Sequence, residues 1–176
     1  MKTKDIKETI KEYFFINPSA KLRVREIERM LKLPLPSVIR YCKELLQEEI
    51  LAVNKIGTVT CYISSRSENY LLNKKLYNIK QMYESGLIEY IKIALNNPAI
   101  VLFGSYSKGE DDETSDIDLY IETPSKKQVD VEKFEKLLKR KIQIIRSKGI
   151  KEISNHHLAN NIVNGLTLNS YIEVFT

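Results

Sequence analysis

Two aspartates one residue apart, Asp116 and Asp118, follow the pair Gly104-Ser105 after an interval of ten residues. That interval, Tyr106 to Ser115, is rich in polar residues and holds Lys108, Gly109 and the acidic run Glu110-Asp111-Asp112-Glu113. The segment Asp116-Ile117-Asp118-Leu119-Tyr120-Ile121 alternates polar and apolar residues, as a strand does. A period of two puts the carboxylates of Asp116 and Asp118 on the same face, with their Cα atoms about 7 Å apart. Paired carboxylates at that separation suit the bridging of hard divalent cations, which take oxygen ligands.

The elements around this pair follow from the pattern. Ala99-Ile100-Val101-Leu102-Phe103 is a continuous apolar run and predicts a buried strand that stops abruptly at Gly104-Ser105. Val131 to Lys141 predicts a helix with Val131, Phe134, Leu137 and Leu138 on one face, and Lys141-Ile142-Gln143-Ile144-Ile145 predicts the strand after it. The tail predicts a helix over Ile153 to Val163, a break at Gly165, and a last strand or extended segment through Leu166, Leu168 and Tyr171 to Val174. Upstream, Ser67 to Asn96 is helical in spacing, with Ser85-Gly86 marking a break or kink and Asn96-Asn97-Pro98 ending it.

Val101-Leu102-Phe103-Gly104-Ser105, ten residues, then Asp116-Ile117-Asp118-Leu119 resembles the signature of the nucleotidyltransferase superfamily, the polymerase-beta-like fold. It is most similar to the minimal nucleotidyltransferases of prokaryotes. The resemblance implies an α/β (α+β) domain with a mixed sheet that moves a nucleoside monophosphate from a nucleoside triphosphate to an acceptor. It implies that Gly104 lets the backbone approach a phosphate, and that its N–H and the Ser105 hydroxyl hold the triphosphate. Lys108 is a candidate phosphate contact, with a plainly exposed loop lysine as the alternative. Asp116 and Asp118 would hold Mg²⁺ (or Mn²⁺), which draws charge off the transferring group.

The sequence departs from that pattern at one position. The resembling enzymes carry a third carboxylate on a later strand, and alternation places Gln143 there. Glutamine can coordinate or hydrogen-bond but cannot act as a base. Asp130 and Glu132 are near in sequence and read as charges at a helix N-terminus. The run 110–113 reads as a solvated loop, and His156 and His157 as surface residues.

The N-terminal part carries a different pattern. Asp5 to Phe15 is helical in spacing, Leu22 and Val24 suit a very short strand or an extended lead-in, and Arg25 to Leu33 is helical. Pro34-Leu35-Pro36 breaks the chain, and Ser37 caps a helix running to about Glu49, with Val38, Cys42 and Leu45 inward. Ile50 to Val53 and Val59 to Ile63 flank a turn with Gly57 and predict a hairpin. This order resembles a winged helix-turn-helix. That resemblance implies duplex DNA as a partner, with Ser37, Arg40 and Lys43 on the third helix and Lys55 in the wing as candidate contacts. Glu44 and Glu48 oppose phosphate, and docking or dimerisation is the alternative use of such a module.

Charge is uneven. Residues 1–65 hold 12 basic and 8 acidic side chains, while residues 99–176 hold 11 and 12. A basic part facing a polyanion and an acidic part facing cations fits that asymmetry. Cys42 and Cys61 sit in apolar-patterned segments and read as reduced core thiols. No apolar run reaches the roughly 18–20 residues needed to span a bilayer, and no secretory leader pattern opens the chain, so no membrane partner and a cytoplasmic location are expected.

The expected organisation is a winged helix-turn-helix over 1–65, a helical connector over 66–98 whose second half packs on the C-terminal domain, and a minimal nucleotidyltransferase domain over 99–176. A magnesium-dependent transferase is one reading. A DNA-binding regulator whose second domain only holds nucleotide is another. The antitoxin of a toxin–antitoxin pair, with a toxin as protein partner, is a third and rests on family analogy. A protein acceptor and a homodimer remain open.

Overall fold

The strand expected at Ala99–Phe103 lies inside a four-stranded sheet, and all five of its residues are buried. The structure, a computed structural model, describes residues 5–175. The chain divides into two compact units, Met1–Tyr77 and Asn78–Thr176. The division falls within the helix that comes after the N-terminal hairpin.

In the first unit, α1 (Ile6–Ile16), α2 (Val24–Leu31) and α3 (Leu35–Gln47) precede a hairpin of β1 (Leu51–Ile56) and β2 (Val59–Ser64). Asp5 caps α1 by accepting from the backbone N–H of Lys7. Leu22 makes an isolated antiparallel bridge to Tyr62, so the short segment before α2 lies along the outer edge of β2. The core gathers Ile10, Phe14, Phe15, Ile27, Val38, Cys42, Leu45, Ile50, Leu51 and Tyr70. Both cysteines are free and buried. Burial pushes the Cys42 thiol up to about 12, so it remains protonated at neutral pH.

One expectation fails in this unit. Ser37 is not a cap. α3 starts at Leu35 behind Pro34, and Ser37 lies inside the first turn. Pro36 is tolerated there because the first turn of a helix leaves its N–H groups without intrahelical partners. The Pro-Leu-Pro stretch therefore opens the helix instead of breaking the chain.

In the second unit, α4 (Glu68–Glu84) ends and α5 (Leu87–Ala94) begins around Gly86, in the left-handed region. There follow β3 (Ala99–Phe103), α6 (Gly104–Lys108), β4 (Ile117–Glu122), α7 (Glu132–Leu138), β5 (Ile142–Ser147), a 3₁₀ turn (Ile150–Glu152), α8 (His156–Val163) and β6 (Leu166–Asn169). The sheet order is β5-β4-β3-β6. β3 is antiparallel to both β4 and β6, and β4 is parallel to β5, so the sheet is mixed.

Alternation along the strands sends side chains to two cores. Ile100, Leu102, Ile117, Leu119 and Ile121 pack with Leu87, Ile88 and Ile91 of α5 and Phe134 of α7. Val101, Phe103 and Tyr120 pack on the opposite face with Ile150 and with Ile162 of α8. Gly165 lets β6 close against β3, since a Cβ there would lie 2.6 Å from Val101 Cγ1 and 2.7 Å from the Leu102 carbonyl oxygen. The last strand stops at Asn169, and Tyr171 to Val174 form no strand. Among the described residues, no helix is long and apolar enough to cross a membrane.

Candidate active site

The chain leaves β3 at Phe103 and enters α6 through Gly104, whose φ is +73°. Sequence periodicity had given no helix here, because five residues of Gly-Ser-Tyr-Ser-Lys carry too short a repeat. Tyr106 and Ser107 point inward, and Ser107 Oγ donates to the Gly104 carbonyl at 2.7 Å, closing the turn from inside. Ser105 is half-buried in the first turn. Lys108, the last residue of α6, is exposed and makes no ion pair among the described residues.

Antiparallel pairing sets Phe103 opposite Asp118. This places the Asp118 carboxylate directly over Gly104. A Cβ on residue 104 would lie 2.3 Å from Asp118 Oδ2 and 3.2 Å from its Cγ. Glycine is required twice at this point, by the positive φ and by the close approach of the carboxylate. Burial raises the Asp118 carboxyl above its ordinary value, and the charge of Asp116 adds to the rise.

Asp116 stands immediately before β4. Parallel pairing puts Gln143 of β5 beside Asp118, and Gln143 Nε2 donates to Asp116 Oδ2 at 2.8 Å. The residue at the expected third-acid position thus reaches the carboxylate pair as a donor. Gly104, Asp116, Asp118 and Gln143 are brought together, while Lys108 is not joined to them by a hydrogen bond or ion pair among the described residues.

Among the described residues, no three Asp, Glu, His or Cys side chains are grouped to hold a metal ion. The donor set is two carboxylates, one of which raises the other's proton affinity. Two like charges left close together fit a cation that draws the rest of its ligands from a substrate. Mg²⁺ binds through one or two carboxylates and substrate phosphates in this way.

The loop between α6 and β4 holds residues that pattern reading missed. Asp111 is buried, not solvated as expected for the run 110–113. Its Oδ1 accepts from Asn78 Nδ2 at 2.8 Å, and its Oδ2 lies 3.9 Å from Arg140 Nη2. Asn78 Nδ2 also donates to the Tyr106 carbonyl at 2.9 Å. One amide therefore ties α4 to both α6 and the loop, and Arg140 leads into the strand that carries Gln143. The signal was a spacing of four, Lys74, Asn78, Met82, which sets polar residues on the buried face of a helix.

Asp112 stays near the surface and organises the loop. Hydrogen bonds from Thr114 and Ser115 hold its carboxyl down at about 2. Asp130 accepts from the Glu132 N–H at the start of α7. His156 and His157 are exposed at the start of α8.

A cleft of ≈ 380 Å³ lies against Ser115 and Asp116, with Lys136, Lys139, Arg140 and Lys141 among its walls. A larger one, ≈ 570 Å³, sits at the opposite end of β3 and β4 against Ala99 and Glu122 and contains none of the candidate residues. The cleft of ≈ 380 Å³ adjoins Asp116.

Residues 84–167 match the family model of the nucleotidyltransferase domain. The match runs from the end of α4 into β6 and includes Gly104, Ser105, Asp116, Asp118 and Gln143. Nucleotidyl transfer is the general activity that this likeness supports, with a nucleoside triphosphate as the implied substrate. The α1–α3 and hairpin segment lies outside the nucleotidyltransferase match. No curated protein and no solved structure matches the chain.

The candidate DNA contacts lie in the first unit. Arg40 is exposed, stacks on the Tyr41 ring at 4.3 Å, hydrogen-bonds the Tyr41 hydroxyl and lies 3.8 Å from Glu44. Lys43 is exposed on the same helix, and Lys55 is exposed on β1 opposite Thr60. Ser37 is half-buried.

Proposed function

We propose that residues 84–167 transfer a nucleoside monophosphate from a nucleoside triphosphate to an acceptor hydroxyl. The acceptor oxygen bonds to the α-phosphorus and gives up its proton to water, the bond to the β-phosphate oxygen breaks, and pyrophosphate leaves with the electron pair. The observation that carries this reading is the convergence of Asp118 on Gly104, with Asp116 and Gln143 alongside. The backbone at Gly104 and the Ser105 N–H and hydroxyl would hold phosphate oxygens. Asp116 and Asp118 would hold Mg²⁺, which supplies charge neutralisation on the phosphates when bound. Lys108, exposed one turn along α6, is a candidate for the distal phosphates.

Gln143 shapes the chemistry. Its amide holds Asp116 in position through a hydrogen bond but takes no proton, so residue 143 does not deprotonate the acceptor. The cleft beside Asp116 would give an acceptor a route to that carboxylate. The deciding experiment incubates the full chain with labelled nucleoside triphosphates, Mg²⁺ or Mn²⁺ and protein or nucleic-acid acceptors. Labelled acceptor lost in Asp116→Asn and Asp118→Asn supports the reading. Tight nucleotide binding with no product under any condition supports a domain that only holds nucleotide, which the amide at position 143 favours.

We read the first unit as a winged helix-turn-helix. The order α1, the Leu22 bridge, α2, α3 and the β1–β2 hairpin supports this. Duplex DNA is its proposed partner.

A further inference from the structure

α2 carries two arginines one turn apart, Arg25 and Arg29, and Arg23 immediately precedes the helix. Like charges at i and i+4 on one helix face destabilise it slightly. Arg29 Nε donates to the Arg25 backbone carbonyl at 3.1 Å. Arg23, Arg25 and Arg29, with Val24, Val59 and Thr60, line a cleft of ≈ 320 Å³ between α2 and the start of β2. No carboxylate is among these lining residues. Glu26 neutralises Arg23 from one side, at 2.6 Å, and belongs to the capping box that starts α2. Arg25 has no such partner among the described residues.

Further cations lie along the strands beside the cleft. Lys55 is the register partner of Thr60, so its side chain shares a sheet face with a residue of the cleft wall. Lys21 and Arg23 flank Leu22, whose bridge to Tyr62 fixes them along the other edge of β2. Cations thus lie on both sides of one strand.

The outward side of α3 is chemically different. Lys7 is spent on Glu44, at 3.1 Å, and on Glu48, while Arg40 is held by Tyr41 and Glu44. Of the cations on that helix, Arg40 is paired with Glu44, and Lys43 is exposed.

We infer that the Arg23–Arg25–Arg29 cleft binds the phosphodiester backbone of a nucleic acid, and that this cleft, not the exposed face of α3, is the main anchoring surface of the first unit. Guanidinium forks match phosphate oxygens in pairs. The lining has no aromatic ring to stack a base and no carboxylate or amide to read one, so the contact positions the chain without selecting sequence. The inference is independent of the transferase reading, since every residue lies in the first unit.

The test is fluorescence anisotropy of the full chain with a labelled duplex of scrambled sequence and a labelled single strand, titrated across salt. The expected result is binding at low salt to either form. Arg25→Ala with Arg29→Ala should weaken it about tenfold or more and lower the log–log salt slope by roughly 2, since each lost phosphate contact removes about one counterion. Arg40→Ala with Lys43→Ala should change affinity by about twofold at most if α3 is peripheral. If the alanine pair melts early, Arg25→Gln with Arg29→Gln is read by the same criteria. Unchanged binding in a folded cleft variant, with loss in the α3 variant, overturns the inference and leaves the winged helix reading standing. Absence of any nucleic-acid binding at low salt overturns both. Displacement by inorganic phosphate as effective per phosphate as unlabelled duplex assigns the cleft to a free anion and also overturns it.

Discussion

Gln143 Nε2 meets Asp116 Oδ2 at 2.8 Å, from the strand beside the one that carries Asp118. An amide there stabilises a charged carboxylate; an acid would repel it. Gln143→Glu should therefore lower the melting temperature modestly in the absence of divalent cation, by well under about 1 kcal/mol given the exposure of the pair. With Mg²⁺ and nucleotide present the order should reverse, because a third carboxylate adds a hard ligand. Differential scanning fluorimetry with and without Mg²⁺ measures this, and equal melting shifts for both proteins would count against a cation at Asp116.

Gly104→Ala places a methyl carbon where Asp118 Oδ2 now lies, 2.3 Å away, at a φ of +73°. The backbone strain should cost about 1–2 kcal/mol. The larger effect should fall on the site, since Asp118 must rotate away. Nucleotide affinity in the presence of Mg²⁺, measured by calorimetry, should drop about tenfold or more beyond any loss of fold. A folded variant with wild-type affinity would remove Gly104 from the phosphate site.

Asp118 gives a pH dependence with a definite sign. Its folded carboxyl is raised, first by burial and then by Asp116. A raised acid favours the native state below its unfolded value, and that contribution is lost as pH rises through the folded value. Ionised Asp118 is thus a burden on the metal-free protein at neutral pH. Asp118→Asn should raise the melting temperature at pH 7 without divalent cation, and the gain should fade below about pH 4, where the wild-type carboxyl is neutral. Chemical denaturation at pH 7 and pH 3.5 tests the difference; a variant less stable than wild type at pH 7 contradicts it.

Asn78→Ala removes two buried hydrogen bonds, to Asp111 and to the Tyr106 carbonyl. The loss should cost roughly 2–4 kcal/mol, because buried polar atoms lose partners they cannot replace with water. The loop 109–116 should also loosen. Hydrogen exchange should quicken at α6 and across that loop more than in β3. Uniform quickening through the whole second unit would mean that Asn78 serves the fold alone.

The carboxylate pair and the strand before it were more legible than the loop and helix around them. Asp116 and Asp118 announce their shared face through strict alternation, and Ala99–Phe103 announces burial by having no polar residue at all. α6 left no periodic trace, because two of its five residues are turned inward by a single tight turn. The start of α3 was concealed by prolines, which end helices in their interior but suit their first turn. Asp111 looked like its exposed neighbours because loop burial has no period. Only its partner, Asn78, four residues before buried Met82, carried a sign of it. The arginines of α2 were visible as charge, yet their meeting with Val59 and Thr60 depends on the bridge from Leu22 to Tyr62, a contact forty residues apart in sequence.

The sheet order β5-β4-β3-β6 puts Gln143 on a border strand and Asp118 on an interior one. Gln143 is exposed, whereas the residues on either side of Asp118, Ile117 and Leu119, are fully enclosed. A change at 143 can alter the partner offered to Asp116 with little disturbance to the packing. A change at 118 must be accommodated by Gly104 and by both neighbouring strands. Under the proposed transferase function, activity would therefore be adjustable from the rim of the sheet, gained or retired through a single outer side chain while the turn at Gly104 stayed as it is.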